Sequence, residues 1–528
     1  MTRSSLPQRL GANLGFGALL AILFLTFLDN TVAAAVLTSV QAQLHAGVTE
    51  LQWVVGSYAL AFASLMLLSG SLADSFGRKK VMLIGVVIFC VGSIIAAVAA
   101  STTVLIVGRM VMGVGAAASE PGTLSMIRHL FPEPQRRARA LGAWAAVSGL
   151  ALAMGPILGG VLVGLWSWRA IFWFNLIFGA MALIVAAIAL PESVNETRRP
   201  LDAGGFVLGA LALATATFAT IYGESAGYRS ASVVTLYVVS GLFLVTFTWV
   251  ERRVREPMLN VDFFRNRAYS GSVFIAFTSY FSIFSIFFFV ALYLEVVASV
   301  SAYGLALDFL PLLGGMVAAS LFSGRWVGRV GSRVPLTAGC LLAAAGVALT
   351  NAAISPAADL THLGWTMGLA GVGFGIIIVP INATALASLP ASYSGVAAST
   401  INTSRELGAV TGVAVLGSIV NAQLTVQLTK RLVEIGIPPA YRNQIINAVT
   451  NGAVNSQAKA ISSQSNAAIQ AIINKVVNAA YGAFSHGLDI ALTFASLMLI
   501  TSALVAWVTG TREPQFDSSV APELLSSS

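Results

Sequence analysis

Long apolar runs, separated by short polar, glycine-rich or basic segments, fill most of the chain. A hydrocarbon core of roughly 30 Å takes about 20 apolar residues per helical span. About fourteen such runs are present, near 14–37, 51–72, 81–100, 104–127, 139–163, 169–190, 204–222, 232–250, 271–294, 303–323, 334–354, 363–384, 400–421 and 486–508. The stretch 421–485 breaks the pattern. It is rich in Ala, Asn and Gln and too weakly hydrophobic to span. Ile445, Ile446 and Val449, then Ile469, Ile472, Ile473 and Val476, recur at helical spacing. That spacing predicts an extracytoplasmic helical hairpin, with a solvated amphipathic linker as the alternative.

Composition agrees with a bilayer. The 528 residues are 57% hydrophobic and 9% charged, where a soluble domain carries about a quarter of its residues as charge. With the N-terminus cytoplasmic, most of the 29 Lys and Arg residues fall in inner segments, and only Arg109 and Arg405 lie within spans. An even number of spans then places both termini inside. The net charge of +8 thus reflects membrane topology and implies no nucleic-acid partner. Cys90 and Cys340 both lie in spans, which excludes a disulfide framework. His45, His129, His362 and His486 are scattered near helix ends, so no metal site is expected. No phosphate-binding Walker loop and no repeated filter loop occur, which leaves ATP-driven export and a channel unsupported.

Charge-rich loops at 191–203 and 251–267 divide the spans into six, two and six. Weak internal repeats support two equivalent bundles. After the second span the chain reads Gly70-Ser-Leu-Ala-Asp74-Ser-Phe-Gly77-Arg78-Lys-Lys, and after the tenth it reads GRWVGRVGSR from Gly324 to Arg333, without the acid. The fourth span carries GVG before Pro121, and the twelfth GFG before Pro380. The expected fold class is therefore an all-α integral membrane protein of two six-helix bundles with two inserted helices. The domains would be 1–198, an inserted pair at 199–264, and 265–528 including the hairpin near 421–485.

Charges inside spans are costly and mark function. Asp29 and Arg109 lie at similar depth on spans one and four, close enough in depth to pair. Eleven residues separate Arg109 from Glu120, about 20° beyond three full turns, so both project from one face of the fourth span, about 16 Å apart. That face belongs against a cavity. Glu406 sits near the inner end of span thirteen, within reach of water. Its neighbour Arg405 points about 100° away and cannot share its helix face. Phe274, Phe277, Phe281, Phe284 and Phe288, with Tyr280 alongside, form a stripe on span nine. Such a stripe suits packing or lipid contact, and equally a flat or cationic ligand.

These motifs resemble the major facilitator superfamily, specifically its fourteen-helix drug:proton antiporters. The Gly70–Lys79 stretch matches the superfamily's loop signature except at Ser75. Gly142, Gly155-Pro156 and Gly159-Gly160 match the antiporter motif, with Ala151 in place of its middle glycine. Leu28-Asp29-Asn-Thr31-Val32, Arg109 with Gly113 and Gly115, and Arg405-Glu406-Leu-Gly408 match three further signatures, the first of them lacking its later Asn and Pro. The resemblance implies a proton-coupled exporter of amphipathic or cationic drug-like compounds in the cytoplasmic membrane, working by alternating access. It would need no cofactor, and its partners would be a small-molecule substrate, protons and the bilayer.

The buried charges and the resemblance together suggest roles, with Glu120 a departure from similar proteins, where an apolar residue is usual at that position. Asp29, Arg109, Glu120 and Glu406 would couple protons. Gly70, Asp74, Gly77, Arg78, Gly155, Pro156 and Gly159 would serve the conformational switch. Phe277, Tyr280, Phe281, Phe284 and Glu120 would contact substrate. Desolvation disfavours a charged carboxylate and a nearby guanidinium favours it, so a coupling acid needs both to change between states. A permanent Asp29–Arg109 pair, a purely structural glycine face on span five and simple charge anchoring at Asp74–Arg78 stand as alternatives. A dedicated exporter of an endogenous lipid, siderophore or metabolite is the second functional reading, ahead of a membrane receptor or enzyme. The hairpin is read either as a gate at the outer mouth or as the site of an extracytoplasmic partner.

Overall fold

The computed structural model describes residues 6–33, 37–44, 46, 48–192, 202–254, 257, 259–296, 302–354, 360–390, 393–450 and 467–511. In chain order the helices are α1 (Leu6–Val32), the short α2 (Leu37–Leu44), α3 (Val48–Phe76), α4 (Arg78–Ala97), α5 (Thr102–Leu130), α6 (Pro134–Leu165) and α7 (Arg169–Ala189). Next come the inserted pair α8 (Ala203–Ala226) and α9 (Ala231–Glu251). The second half holds α10 (Arg267–Val296), α11 (Ala302–Val330), α12 (Arg333–Ala353), α13 (Leu360–Ser388), α14 (Ser394–Glu434), the short α15 (Pro439–Thr450) and α16 (Ala467–Thr509). Among the described residues, thirteen helices are long and apolar enough to cross a membrane singly. A fourteenth, within α6, is bent by 43° between Arg139–Leu152 and Ile157–Leu165. The break falls around Gly155-Pro156, where a missing backbone donor weakens the helix. The side chain of Pro156 itself lies outside the described residues.

Glycine explains how the two six-helix bundles pack without a hydrophobic drive between helices in lipid. In the first bundle a Cβ on Gly85 would meet Ser119 N at 2.7 Å, and one on Gly108 would meet Ala96 N at 2.7 Å, so α4 and α5 touch backbone to backbone. Gly113 likewise presses α5 onto the Tyr58 carbonyl of α3. The second bundle repeats this arrangement. Gly346 and Gly373 bring α12 onto α13, while Gly371 and Gly375 seat α13 on the Leu312 and Met316 carbonyls of α11. The loop repeat is also structural. Gly77 (φ 107°) and Gly331 (φ 76°) occupy the α3–α4 and α11–α12 turns, where an L side chain would be strained.

Two predicted boundaries move. Residues from Ser394 to Ile401 are small and polar, so hydropathy places the thirteenth span near 400, whereas α14 begins at Ser394. Glu406 is therefore three turns into the helix and only 4% exposed; the expectation that water reaches it near an inner helix end is corrected. At the other end α14 runs 41 residues and α16 runs 43, about 60 Å each at 1.5 Å per residue against a core of roughly 30 Å. Leu424, Leu428 and Leu432 of α14 cluster with Ala479, Ala480 and Ala483 of α16. The polar segment is thus in part an outward continuation of two membrane helices, with α15 behind a turn at Gly436. Residues 451–466 lie outside the described residues.

Candidate functional site

Two polar clusters occupy the apolar interior. The first lies wholly within the first bundle. Asp29 of α1 pairs with Arg109 Nη1 of α5, and its second oxygen accepts from Asn175 Nδ2 of α7 at 2.7 Å. Arg109 Nε donates to the Val54 carbonyl of α3 at 3.1 Å, and its guanidinium lies 4.6 Å from the Tyr58 ring centroid. Tyr58 in turn donates to the Thr26 carbonyl at 3.2 Å. Asp29, Arg109 and Asn175 are all at most 1% exposed. Both carboxylate oxygens are satisfied, as a buried charge requires. The depth match predicted from the sequence is realised, and four helices share the network.

The second cluster lies between the bundles. Glu120 of α5 is 1% exposed, and its Oε2 has no hydrogen-bond partner among the described residues. The charged groups within electrostatic range of it are Glu406 and Arg405 of α14. Arg405 is held by Asn402 Oδ1 and Asn382 Oδ1, both at 2.9 Å. Its guanidinium sits 5.2 Å from the ring centroids of both Trp144 of α6 and Tyr280 of α10. Trp144 Nε1 donates to Thr123 Oγ1 at 3.1 Å, which donates to the Glu120 carbonyl at 2.7 Å. Glu406 takes the Asn30 side chain of α1 as its partner. The sequence argument that adjacent positions 405 and 406 diverge is what the helix shows. One acid comes from each bundle, and Arg405, flanked by aromatic rings, acts on both electrostatically.

The aromatic stripe of α10 divides by face. Phe274 and Phe288 turn outward, at 39% and 51% exposure. The backbone at Phe277 and Phe281 lies against Gly408 and Gly412 of α14, while the two rings meet each other at 6.2 Å and Phe281 also meets Phe494 of α16 at 6.0 Å. Tyr280 alone contacts Arg405, with Phe284 stacked on it at 5.9 Å. The structure therefore brings Tyr280 and Phe284 to the central cluster and places Phe277 and Phe281 in packing within the second bundle.

The loop motif ties the bundles at one end. Asp74 pairs with Arg78 at 2.8 Å and accepts from the Gly395 and Val396 backbone N–H groups, each at 3.2 Å. Those amides open α14, where a negative charge is favoured. Gly70 lets α3 approach Gly395 and Ser399 closely enough for this contact. Arg128 Nη1 adds a second tie to the Leu386 carbonyl of α13 at 2.7 Å. Replacing Asp74 by Asn should weaken charge-assisted bonds of roughly 1.5–3 kcal/mol, shifting the tied population by about 10- to 100-fold. Spin-label distances across this end would widen; an unchanged distribution would count against the tie.

The α6 glycines also divide. Gly142 and Gly149 face Ser320 and Met316 of α11 across the bundle interface, while Gly155 faces Thr31 and Val32 of α1 in its own bundle. Gly159 is buried and Gly160 exposed.

Reasoning from charges alone missed Asn30, Trp144, Asn175, Asn382 and Asn402. The signal was present, because an amide or indole N–H inside a span also needs a partner.

Comparison with known proteins fits this architecture. The profile of the Major Facilitator Superfamily matches residues 19–413. Multidrug resistance protein Stp of Mycobacterium tuberculosis (strain CDC 1551 / Oshkosh) is 31% identical over 458 residues, covering 87% of this chain and 83% of its own. Puromycin resistance protein pur8 of Streptomyces alboniger is 32% identical over 498 residues, covering 94% and 90%. The proton:xylose symporter XylE superposes with a TM-score of 0.60 at 13% identity, over 94% of this chain and 95% of that one. A bacterial homologue of the human lysosomal transporter Spinster gives 0.57 at 19%, over 96% and 97%. At those identities the two structures establish the fold, and with the profile match they show that the chain belongs to the Major Facilitator Superfamily as a multi-pass membrane transporter.

Proposed function

We propose that this transporter expels amphipathic or cationic drug-like compounds across the cytoplasmic membrane in exchange for protons, by alternating access, with both termini cytoplasmic. The observation that carries this reading is Glu120. It is a buried carboxylate at the bundle interface with an oxygen unpartnered among the described residues, beside Glu406, Trp144 and Tyr280. An unpaired buried carboxylate is stable only when protonated or matched by a cation. A proton and a cationic substrate thus compete for the same group, which is the requirement for exchange. Trp144 and Tyr280 already hold the Arg405 guanidinium, so a cationic substrate would bind by taking its place on those ring faces. Relatives named for multidrug and puromycin resistance support the substrate class.

In this reading Asp74, Arg78, Gly70 and Gly77 hold one end shut, and the bend at Gly155-Pro156, with Gly159 beyond it, lets α6 move during the reverse transition. The domain division at 199–264 leaves α8 and α9 as a peripheral pair. The test uses purified protein in liposomes with an acidic lumen and an added fluorescent lipophilic cation. Accumulation of the cation, with proton release that a protonophore abolishes, is the expected result. Cation movement without proton movement would overturn the coupling.

A further inference from the structure

An apolar groove of about 350 Å³ opens on the outside of the first bundle, away from the central cluster. Leu65 and Leu72 of α3, Ile84 and Ile88 of α4 and Phe206 of α8 line it, with Lys80 among its walls. Phe76 and Ile84, also in its wall, are 53% and 50% exposed, so the groove faces the bilayer. Its α3 wall runs from Leu65 to Phe76, about 16 Å at 1.5 Å per residue, which is close to half a hydrocarbon core of roughly 30 Å.

The charge at its mouth is specific. Of the three bases that open α4, Arg78 is engaged by Asp74. Lys79 donates to the Ala187 and Leu190 carbonyls, both at 2.7 Å, at the end of α7. Lys80 is exposed and makes no ion pair among the described residues. It stands in the first turn of α4, whose amino end adds partial positive charge.

We propose that this groove binds an anionic phospholipid, with one acyl chain between α3, α4 and α8 and its phosphate on Lys80. An apolar slot one leaflet deep with a single available cation at the polar boundary fits that molecule. The slot has no acid to receive a cationic substrate. The lipid would also act on the bundle tie. Ser69 lines the groove, while the adjoining Gly70 carries the close contact with Gly395 and Ser399 of α14. A chain seated on the outer face of α3 presses that helix toward α14 and favours the tied state.

The test is photolabelling of the full chain in neutral phosphatidylcholine nanodiscs. One probe is a phosphatidylglycerol with a diazirine midway along its acyl chain, and the other is the matching phosphatidylcholine. The expected result is labelling of the 65–88 segment by the anionic probe, competed by unlabelled phosphatidylglycerol. Lys80→Gln should weaken it about fivefold, the value of one lysine at an anionic surface. Ile84→Trp, which fills the groove from its lipid side, should remove it. Equal labelling by the neutral probe with no effect of Lys80→Gln would overturn the proposal. So would loss of label on adding a transported cation but not on adding phosphatidylglycerol, which would mark a substrate entrance. Neither readout requires transport, so the result stands apart from the proton-exchange reading.

Discussion

Glu120→Gln is expected to leave a folded, monodisperse protein that no longer couples cation movement to protons. The substitution keeps the shape of the side chain and removes only its ability to ionise. Little described in the fold depends on that charge: Oε2 has no hydrogen-bond partner among the described residues, Glu406 opposes the charge while Arg405 favours it, and Arg405 keeps its bonds to Asn382 and Asn402 either way. Thermal stability should therefore be unchanged or slightly higher. Proton-driven accumulation in liposomes should fall to the protonophore-treated background, while Glu120→Asp retains part of it. Coupled transport at the parental rate in Glu120→Gln would remove this residue from the mechanism.

Asp29→Asn is expected to act differently, although both acids lie inside spans. Asp29 neutralises Arg109 in a pocket closed by Tyr58, Val54 and Asn175. The amide would leave a buried guanidinium without its counter-charge, a loss of about 3–5 kcal/mol. Yield and melting temperature should drop together. Replacing both partners with apolar groups, Asp29→Leu with Arg109→Met, should recover much of the stability, because two desolvated charges disappear at once. If that double variant still exchanges protons for cations, the pair is structural. A stable Asp29→Asn protein that loses only coupling would instead make Asp29 the proton carrier.

The contrast between the two acids shows how far sequence reasoning reached. Helical geometry put Arg109 and Glu120 on one face of α5, and depth along the helices matched Asp29 to Arg109, with which it pairs. Spacing along one helix says nothing of what stands opposite. Glu120 is set apart by the arrival of Arg405 and Glu406 from 285 residues away, and Asp29 by the donation from Asn175 of α7. The phenylalanine stripe is a similar case. Its helical period is plain in the sequence, but only the neighbouring helices decide which ring meets what: Phe281 meets Phe494 of α16, whereas Tyr280, with Phe284 stacked on it, meets Arg405 of α14.

What the sequence determined by itself is the number of spans, the six-two-six layout and the positions where charge enters the membrane. Those follow from the length of apolar runs and from the cost of exposing polar groups to lipid, both properties of short segments. Even the Gly77 and Gly331 turns were legible, because a seven-residue glycine spacing recurs before a basic stretch. Tertiary structure alone decided the start of α14 and hence the burial of Glu406. It alone seated Asp74 on the first amides of α14, and it alone separated a satisfied acid from an unsatisfied one. The physical reason is that hydropathy is summed along the chain, whereas pairing of buried charges depends on which helices meet. In lipid that choice is made by close backbone packing at glycines scattered through both halves.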